Sequence, residues 1–150
     1  MATDDETASG HDPDSGAIGS SRRRWRAVAG LVAVAIVVAS LLPPELLVGP
    51  GPPTDPRGLF GLVGADKWLH AIGYAVLAGT LVPGVADDPD RPAVGGYLLA
   101  VGLATALGLG VELLQWPHPG RTASLADGAA NLVGAATGAV VTVLVGRRRP

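Results

Sequence analysis

Four apolar segments, separated by turn-forming and charged residues, constrain this chain more than any other feature. They lie at about residues 25–42, 67–82, 93–115 and 125–145. A helix of roughly 20 apolar residues is long enough to cross the hydrocarbon core of a bilayer, and it satisfies its own backbone hydrogen bonds there. We therefore predict an all-α fold, a polytopic membrane protein built as a bundle of four transmembrane helices.

The polar beginning of the chain is predicted to stand apart from this bundle. Residues 1–21 carry five acidic residues and no basic one, a composition typical of a disordered tail. The mean hydropathy of the whole chain is nevertheless +0.38, so the rest must be strongly apolar. We divide the chain into an acidic tail, 1–21, and a membrane domain, 22–149. Because the sequence has no cysteine, disulfides and thiolate chemistry are excluded.

The basic residues predict the orientation of the helices. A cluster at Arg22–Arg26 precedes the first apolar segment, and it also resembles a twin-arginine export signal. The segment continues into Leu-Leu-Pro-Pro without a convincing small-x-small cleavage site, so we expect a retained helix rather than a cleaved signal peptide. Four helices place both termini on one side, which then holds eight of the 11 basic residues, against three on the other. Both termini are predicted to be cytoplasmic.

Polar side chains collect at one end of the predicted helices 2 to 4. Because successive helices alternate in direction, the start of helix 2, the end of helix 3 and the start of helix 4 meet at one membrane face. The residues brought together are Asp66, Lys67, His70, Tyr74, Glu112, Gln115, Arg121, Asp127 and Asn131. Polar groups near a membrane need partners or a function. We predict that these nine residues form a ligand-binding site, with Glu112 and His70 as candidate catalytic residues.

Helical spacing indicates that these residues face the bundle. Residues four positions apart lie on one side of a helix, and small residues at that spacing let membrane helices approach closely. The series with this spacing are Asp66, His70 and Tyr74; Ala100, Ala104, Gly108 and Glu112; Asp127 and Asn131; and Gly134 and Gly138. Glu112 therefore continues a packing stripe and should face other helices rather than lipid.

Several of the polar residues also have an ordinary structural explanation. Asp66 could cap helix 2, and Ser124 with Asp127 fits a capping box at the start of helix 4. Lys67 could extend its ammonium group to the lipid headgroups. Tyr74 could be a packed aromatic residue with a hydrogen bond.

Glu112 is harder to explain in this way, because the dipole at a helix C-terminus disfavours an anion. It should pair with Arg121 or Lys67, or hold a proton. A divalent metal bound by Asp66, His70, Glu112 and Asp127 is a further alternative. Since no tight histidine cluster is present, we predict no metal and no cofactor.

Three motifs in order resemble the VanZ-like family of small membrane proteins. They are Asp-Lys-Trp-Leu-His-Ala-Ile-Gly-Tyr (66–74), Glu-Leu-Leu-Gln (112–115) and Pro-Gly-Arg (119–121) followed by Asp127, Asn131, Gly134 and Gly138. The resemblance covers about residues 25–146 and implies a helical membrane domain, in a family whose named member is associated with teicoplanin resistance. It also implies that the nine polar residues are the signature positions. The chain departs from the family in its Pro-rich segment, its acidic tail and an insertion at 116–118.

Three functions fit these observations. The first is non-enzymatic binding of an anionic lipid headgroup or a lipid-linked envelope molecule at the outer leaflet, through Arg121, Lys67, His70 and the first-turn amides of helices 2 and 4. The second is an intramembrane hydrolase or transferase with Glu112 or His70 as general base. The third is a purely structural or partner-binding protein. We favour the first, because no nucleophile is evident. The basic clusters flank membrane spans, so nothing indicates nucleic acid.

The orientation can be tested by labelling, since the native chain contains no cysteine. Single cysteines at Thr54 and Asp88 fall in the predicted outer and cytoplasmic loops. We expect a membrane-impermeant maleimide to label the first in intact cells and the second only after permeabilisation. Labelling at Asp88 alone would reverse the predicted orientation.

Overall fold

The structure, a computed structural model, describes residues 13–42, 65–86, 93–115 and 125–146. These ranges contain four helices and no strand. The helices are α1 (Pro13–Leu41), α2 (Ala65–Val85), α3 (Ala93–Gln115) and α4 (Leu125–Gly146). Each includes a stretch long and apolar enough to cross a membrane. The predicted all-α bundle of four membrane-length helices is therefore confirmed, and the chain has the architecture of a multi-pass membrane protein.

The first helix begins earlier than the sequence suggested. Residues 13–21, which we assigned to the acidic tail, belong to α1, whereas residues 1–12 lie outside the described part of the chain. Proline suits the first position of a helix because its φ is already helical and its missing N–H would be unpaired there anyway. Pro13 holds that position in α1. The membrane-length part of α1 is Gly19–Leu41.

The closest helix pair is α2 with α4. Gly134 and Gly138 of α4 lie directly against the backbone of α2, where a Cβ atom would overlap the carbonyl groups of Ala71 and Ala75 respectively. Only glycine permits such an approach, because any side chain at these two positions would push the helices apart. The GxxxG spacing therefore has a definite role, which is to hold α4 in backbone contact with α2.

The interior of the bundle consists mainly of small side chains. Its centre combines Tyr74, Leu77 and Ala78 of α2 with Ala104 of α3 and Ala135 of α4. Large apolar side chains lie outside, as the exposed Leu98, Leu103, Leu109, Leu132, Val133 and Val140 illustrate. A soluble protein would bury these residues. Small residues between helices and large ones outside are the arrangement expected when lipid surrounds the bundle.

Proline does not end α2 where the sequence predicted. We expected the helix to stop at residue 82, yet it continues through Pro83 to Val85. Proline has no N–H to donate to the carbonyl four residues earlier, which is that of Gly79. The hydroxyl of Thr142 on α4 lies 3.4 Å from this carbonyl oxygen and 2.9 Å from that of Gly138. Since a hydroxyl has only one hydrogen to donate, the Gly79 carbonyl shares this donor with the Gly138 carbonyl and receives the longer contact.

Side-chain contacts at the two ends of the bundle define its topology. At one end, the Gln115 side chain donates a hydrogen bond to the Ser40 carbonyl, so the last turns of α1 and α3 are adjacent. At the other end, Arg26 Nε donates to the Gly84 carbonyl over 2.8 Å, close to the end of α2. We call the first end, where α1 and α3 finish and α2 and α4 begin, the site face.

Two matched glycine substitutions test the contact between α2 and α4. Gly134→Ala should lower the free energy of unfolding by about 1–3 kcal/mol, because the new methyl group overpacks the interface. A Cβ atom at Gly102 would have no neighbour within 4 Å among the described residues, so Gly102→Ala should be neutral or gain up to about 1 kcal/mol of helix propensity. Unfolding of the purified protein in mild detergent measures both. Equal stability of the two variants would contradict the contact.

Candidate functional site

Five polar residues from three helices come together at the site face. Lys67 and His70 lie in the first two turns of α2, Glu112 in the last turn of α3, and Asp127 and Asn131 in the first two turns of α4. We call these five residues the polar cluster. The sequence placed them at one face of the membrane from the alternation of helix directions, and the structure brings their side chains into one group.

An ion pair joins α2 to α4 at the edge of the polar cluster. Lys67 Nζ lies 2.7 Å from Asp127 Oδ1, and the two side chains are 26% and 13% exposed. Partial burial strengthens the attraction relative to a surface pair, although some solvent screening remains. The sequence suggested that Lys67 would reach lipid headgroups and that Asp127 would complete a capping box. In the structure these two side chains bind each other.

A second contact between the same helices lies one turn deeper. His70 Nδ1 is 3.0 Å from Asn131 Oδ1. Because a carboxamide oxygen only accepts hydrogen bonds, Nδ1 carries the proton and Nε2 keeps its lone pair in the neutral ring. The His70 ring also stacks on that of Tyr74, with centroids 6.4 Å apart and planes 9° from parallel. With the Asn131 amide in this orientation, the contact and the stacking position the imidazole with Nδ1 toward α4.

Space for the Asn131 side chain comes from a glycine on α3. A Cβ at Gly108 would lie 3.0 Å from Asn131 Cγ and 3.1 Å from Tyr74 Cζ. Asn131 is only 1% exposed, and its Nδ2 has no hydrogen-bond partner among the described residues. Gly108 thus allows a buried carboxamide to reach His70, while the amide nitrogen of that carboxamide has no partner among the described residues.

Glu112 completes the polar cluster from α3. It is 8% exposed, although it lies at the C-terminal end of a helix where the dipole disfavours a negative charge. Glu112, His70 and Asp127 each offer one atom that could bind a metal, and these three atoms lie within 4.8 Å of one another. These three side chains therefore face a common point, and each comes from a different helix.

The formal charge of the polar cluster is negative. Glu112 and Asp127 contribute −2 and Lys67 contributes +1, so the sum is −1 when His70 is neutral. An anionic ligand would therefore need a further positive group, either from the chain or bound to it. Arg121 is a candidate from the sequence, and it lies outside the described residues.

The remaining predicted site residues have different positions. Asp66 lies in the first turn of α2, but its side chain is outside the described part of the structure. Tyr74 is buried beneath His70. Gln115 contacts α1 through Ser40 and so helps hold the bundle together at the site face. Sequence reasoning treated Gly108 only as a packing residue, although its place one turn before Glu112 could have indicated that it borders the site.

Comparisons with models of protein families, with curated proteins and with solved structures find no match to this chain.

A double-mutant cycle measures the ion pair that joins α2 to α4. Lys67→Met and Asp127→Asn should each destabilise the protein, and the double variant should lose less than the sum of the two, giving a coupling of about 1 kcal/mol. Thermal or denaturant unfolding in detergent at low and high salt provides the four stabilities. A coupling of zero at low salt would show that the pair contributes nothing in solution.

Proposed function

We propose that this chain is a VanZ-like membrane protein that binds the phosphate-bearing headgroup of a lipid or of a lipid-linked envelope molecule. Binding would occur at the outer leaflet of the cell membrane, through the polar cluster together with Arg121. Both termini would lie in the cytoplasm. Lipids, rather than nucleic acid or soluble protein, are then the partners.

The observation that carries this proposal is the position of the polar cluster. Its five side chains lie at the ends of membrane-length helices, and the ends of such helices are at the depth of the lipid headgroups. An otherwise apolar bundle buries Glu112 and Asn131 there, and polar residues kept inside membrane-spanning helices commonly belong to a functional site. A headgroup can reach this depth laterally from the leaflet, so no channel through the bundle is needed.

Several groups at the site face favour an anion. The starts of α2 and α4 both lie at the site face, and the positive ends of their helix dipoles add positive potential there. The Lys67 side chain is more exposed than that of Asp127, its ion-pair partner, and it can turn toward a phosphate. Arg121, four residues before the start of α4, would add a guanidinium group, which suits bidentate contact with phosphate oxygens.

Family membership rests on the three motifs in order and on an architecture that suits them. The motif residues Lys67, His70, Glu112, Asp127 and Asn131 all belong to the polar cluster, which supports reading them as a functional signature. We do not extend the proposal to teicoplanin resistance, because the Pro-rich segment and the insertion at 116–118 depart from the family next to the predicted site. The excess of eight basic residues over three supports the cytoplasmic termini.

Lipid retention in native mass spectrometry tests headgroup binding. The wild-type protein, extracted in mild detergent and exchanged into mixtures of phosphatidylglycerol and phosphatidylcholine, should retain the anionic lipid preferentially. Lys67→Met and Arg121→Ala should each reduce that retention by about tenfold or more, since losing a hydrogen bond to a charged group costs about 1.5–3 kcal/mol. Arg147→Ala, which changes a basic residue beyond the opposite end of α4, is the matched control and should retain the lipid normally.

The result that opposes the proposal is equal lipid retention by the wild type, Lys67→Met and Arg121→Ala. If Glu112→Gln then merely lowers the unfolding temperature and no ligand is found, the polar cluster has a structural role in holding α2, α3 and α4 together. These two outcomes separate binding from packing, because the first is read from bound mass and the second from stability.

An intramembrane hydrolase or transferase is the second candidate, and the proximity of His70 and Glu112 favours it. A general base must lie within reach of the group it deprotonates, and either residue could act on a molecule held at the site face. Turnover of a lipid-linked phosphate that Glu112→Gln abolishes, with normal unfolding temperature, would favour this enzyme.

A further inference from the structure

Although the sequence led us to predict no metal, the grouping of these side chains in the structure leads us to infer that His70, Glu112 and Asp127 bind a divalent transition-metal ion at the site face. Each residue comes from a different helix, α2, α3 and α4 respectively, so the site exists only when the bundle is assembled. Two of the three are carboxylates and the third is an imidazole, so the set is not simply an acidic patch.

The spacing of the three side chains fits one ion. Their potential ligand atoms lie within 4.8 Å of one another, whereas the ligands of a tetrahedral zinc ion, at about 2.0–2.2 Å from the metal, are roughly 3.3–3.6 Å apart. The three side chains must therefore draw closer together when they share an ion.

The chemistry of the donors selects the class of metal. Imidazole nitrogen is a good ligand for zinc and other first-row transition ions, whereas calcium and magnesium prefer an all-oxygen environment. Three protein ligands leave a fourth position open for water or for an oxygen of another molecule. Zn²⁺ is therefore the ion with which to probe the site.

The environment of Asn131 is independent support for a ligand here. Histidines that bind metals usually donate their other ring N–H to an oxygen atom, which aims the ring at the ion, and His70 Nδ1 lies 3.0 Å from Asn131 Oδ1. Nε2 is then the nitrogen left for the metal. The unpartnered Nδ2 of the 1% exposed Asn131 is directed toward α3 at Gly108, one turn from Glu112. A buried donor without a partner is costly, and a metal-bound water or anion would supply an acceptor.

The ion pair between Lys67 and Asp127 is compatible with such an ion. Lys67 contacts Oδ1 of the carboxylate, and a carboxylate has two oxygens that can each accept a ligand contact. A divalent ion changes the formal charge of the polar cluster from −1 to +1. If the proposed function is correct, this change explains how a group with two carboxylates attracts a phosphate, since the ion can bridge the protein and the headgroup.

Zinc binding to the purified protein tests the site without any lipid ligand. The full-length chain, purified in detergent with a tag that contains no histidine, is titrated with Zn²⁺ by calorimetry and analysed for zinc after dialysis. We expect one zinc ion per chain, with at least tenfold weaker binding in both His70→Ala and Glu112→Gln. Asn131→Ala should weaken binding by about 10–100-fold, the usual loss when the partner of a metal-binding histidine is removed.

Two controls make the outcome decisive. His11→Ala removes a histidine that precedes α1 and should leave zinc binding unchanged. Zinc should raise the unfolding temperature of the wild type and of His11→Ala but not that of His70→Ala, and Ca²⁺ should have no such effect. This comparison also reveals whether each variant is folded.

Absence of zinc binding by the wild type, or equal binding by folded His70→Ala and Glu112→Gln variants, would overturn the metal site. Failure of phosphatidylglycerol retention alongside normal zinc binding would leave the metal site intact and overturn only the proposed headgroup binding. The two conclusions can therefore fail separately.

Discussion

The backbone contact between α2 and α4 is the constraint on which the rest of the structure depends. Gly134 and Gly138 bring α4 against the carbonyl groups of Ala71 and Ala75, and this fixes both the distance and the register of the two helices. At that register Lys67 meets Asp127 and, one turn further, His70 meets Asn131. Dispersion and interhelical hydrogen bonds hold membrane helices together, because lipid removes the hydrophobic force between them. The glycines therefore determine the geometry of the site as well as the packing.

The third helix, α3, adds the carboxylate of Glu112 to the helix pair that α2 and α4 already form. Its small residues at Ala100, Ala104 and Gly108 are buried, and they end in Glu112 on the same side of the helix. The stripe thus serves two purposes, since it packs α3 closely and carries one charged side chain to the site face. A charge placed at the end of such a stripe cannot turn toward lipid without unpacking the helix, and this explains how an acidic residue stays buried where the helix dipole opposes it.

Much of the fold could be predicted from the sequence, because the length and apolar composition of the four segments leave few alternatives. The bounds of α3 and the start of α4 were correct, whereas α1 begins earlier and α2 continues past Pro83. In the second case a hydroxyl on α4, Thr142, lies near the Gly79 carbonyl that Pro83 leaves without its helical donor, and no local pattern reveals a neighbour about 60 residues away. That the five residues of the polar cluster lie at one face could be predicted from the alternating directions of the helices. The contact of Lys67 with Asp127 and of His70 with Asn131 could not be predicted in this way, since both depend on the α2–α4 register.

The pairing of α2 with α4 also affects how the protein enters the membrane. Helices are inserted in the order of synthesis, and α2 is the least apolar of the four spans, with Lys67 and His70 near its start. Its closest partner in the bundle, α4, is synthesised last. Until α4 arrives, the Gly79 carbonyl, the Lys67 ammonium group and the His70 ring lack the Thr142, Asp127 and Asn131 side chains that they contact in the folded bundle. The chain is therefore least stable before α4 is inserted, and truncation before α4 removes every one of these partners at once.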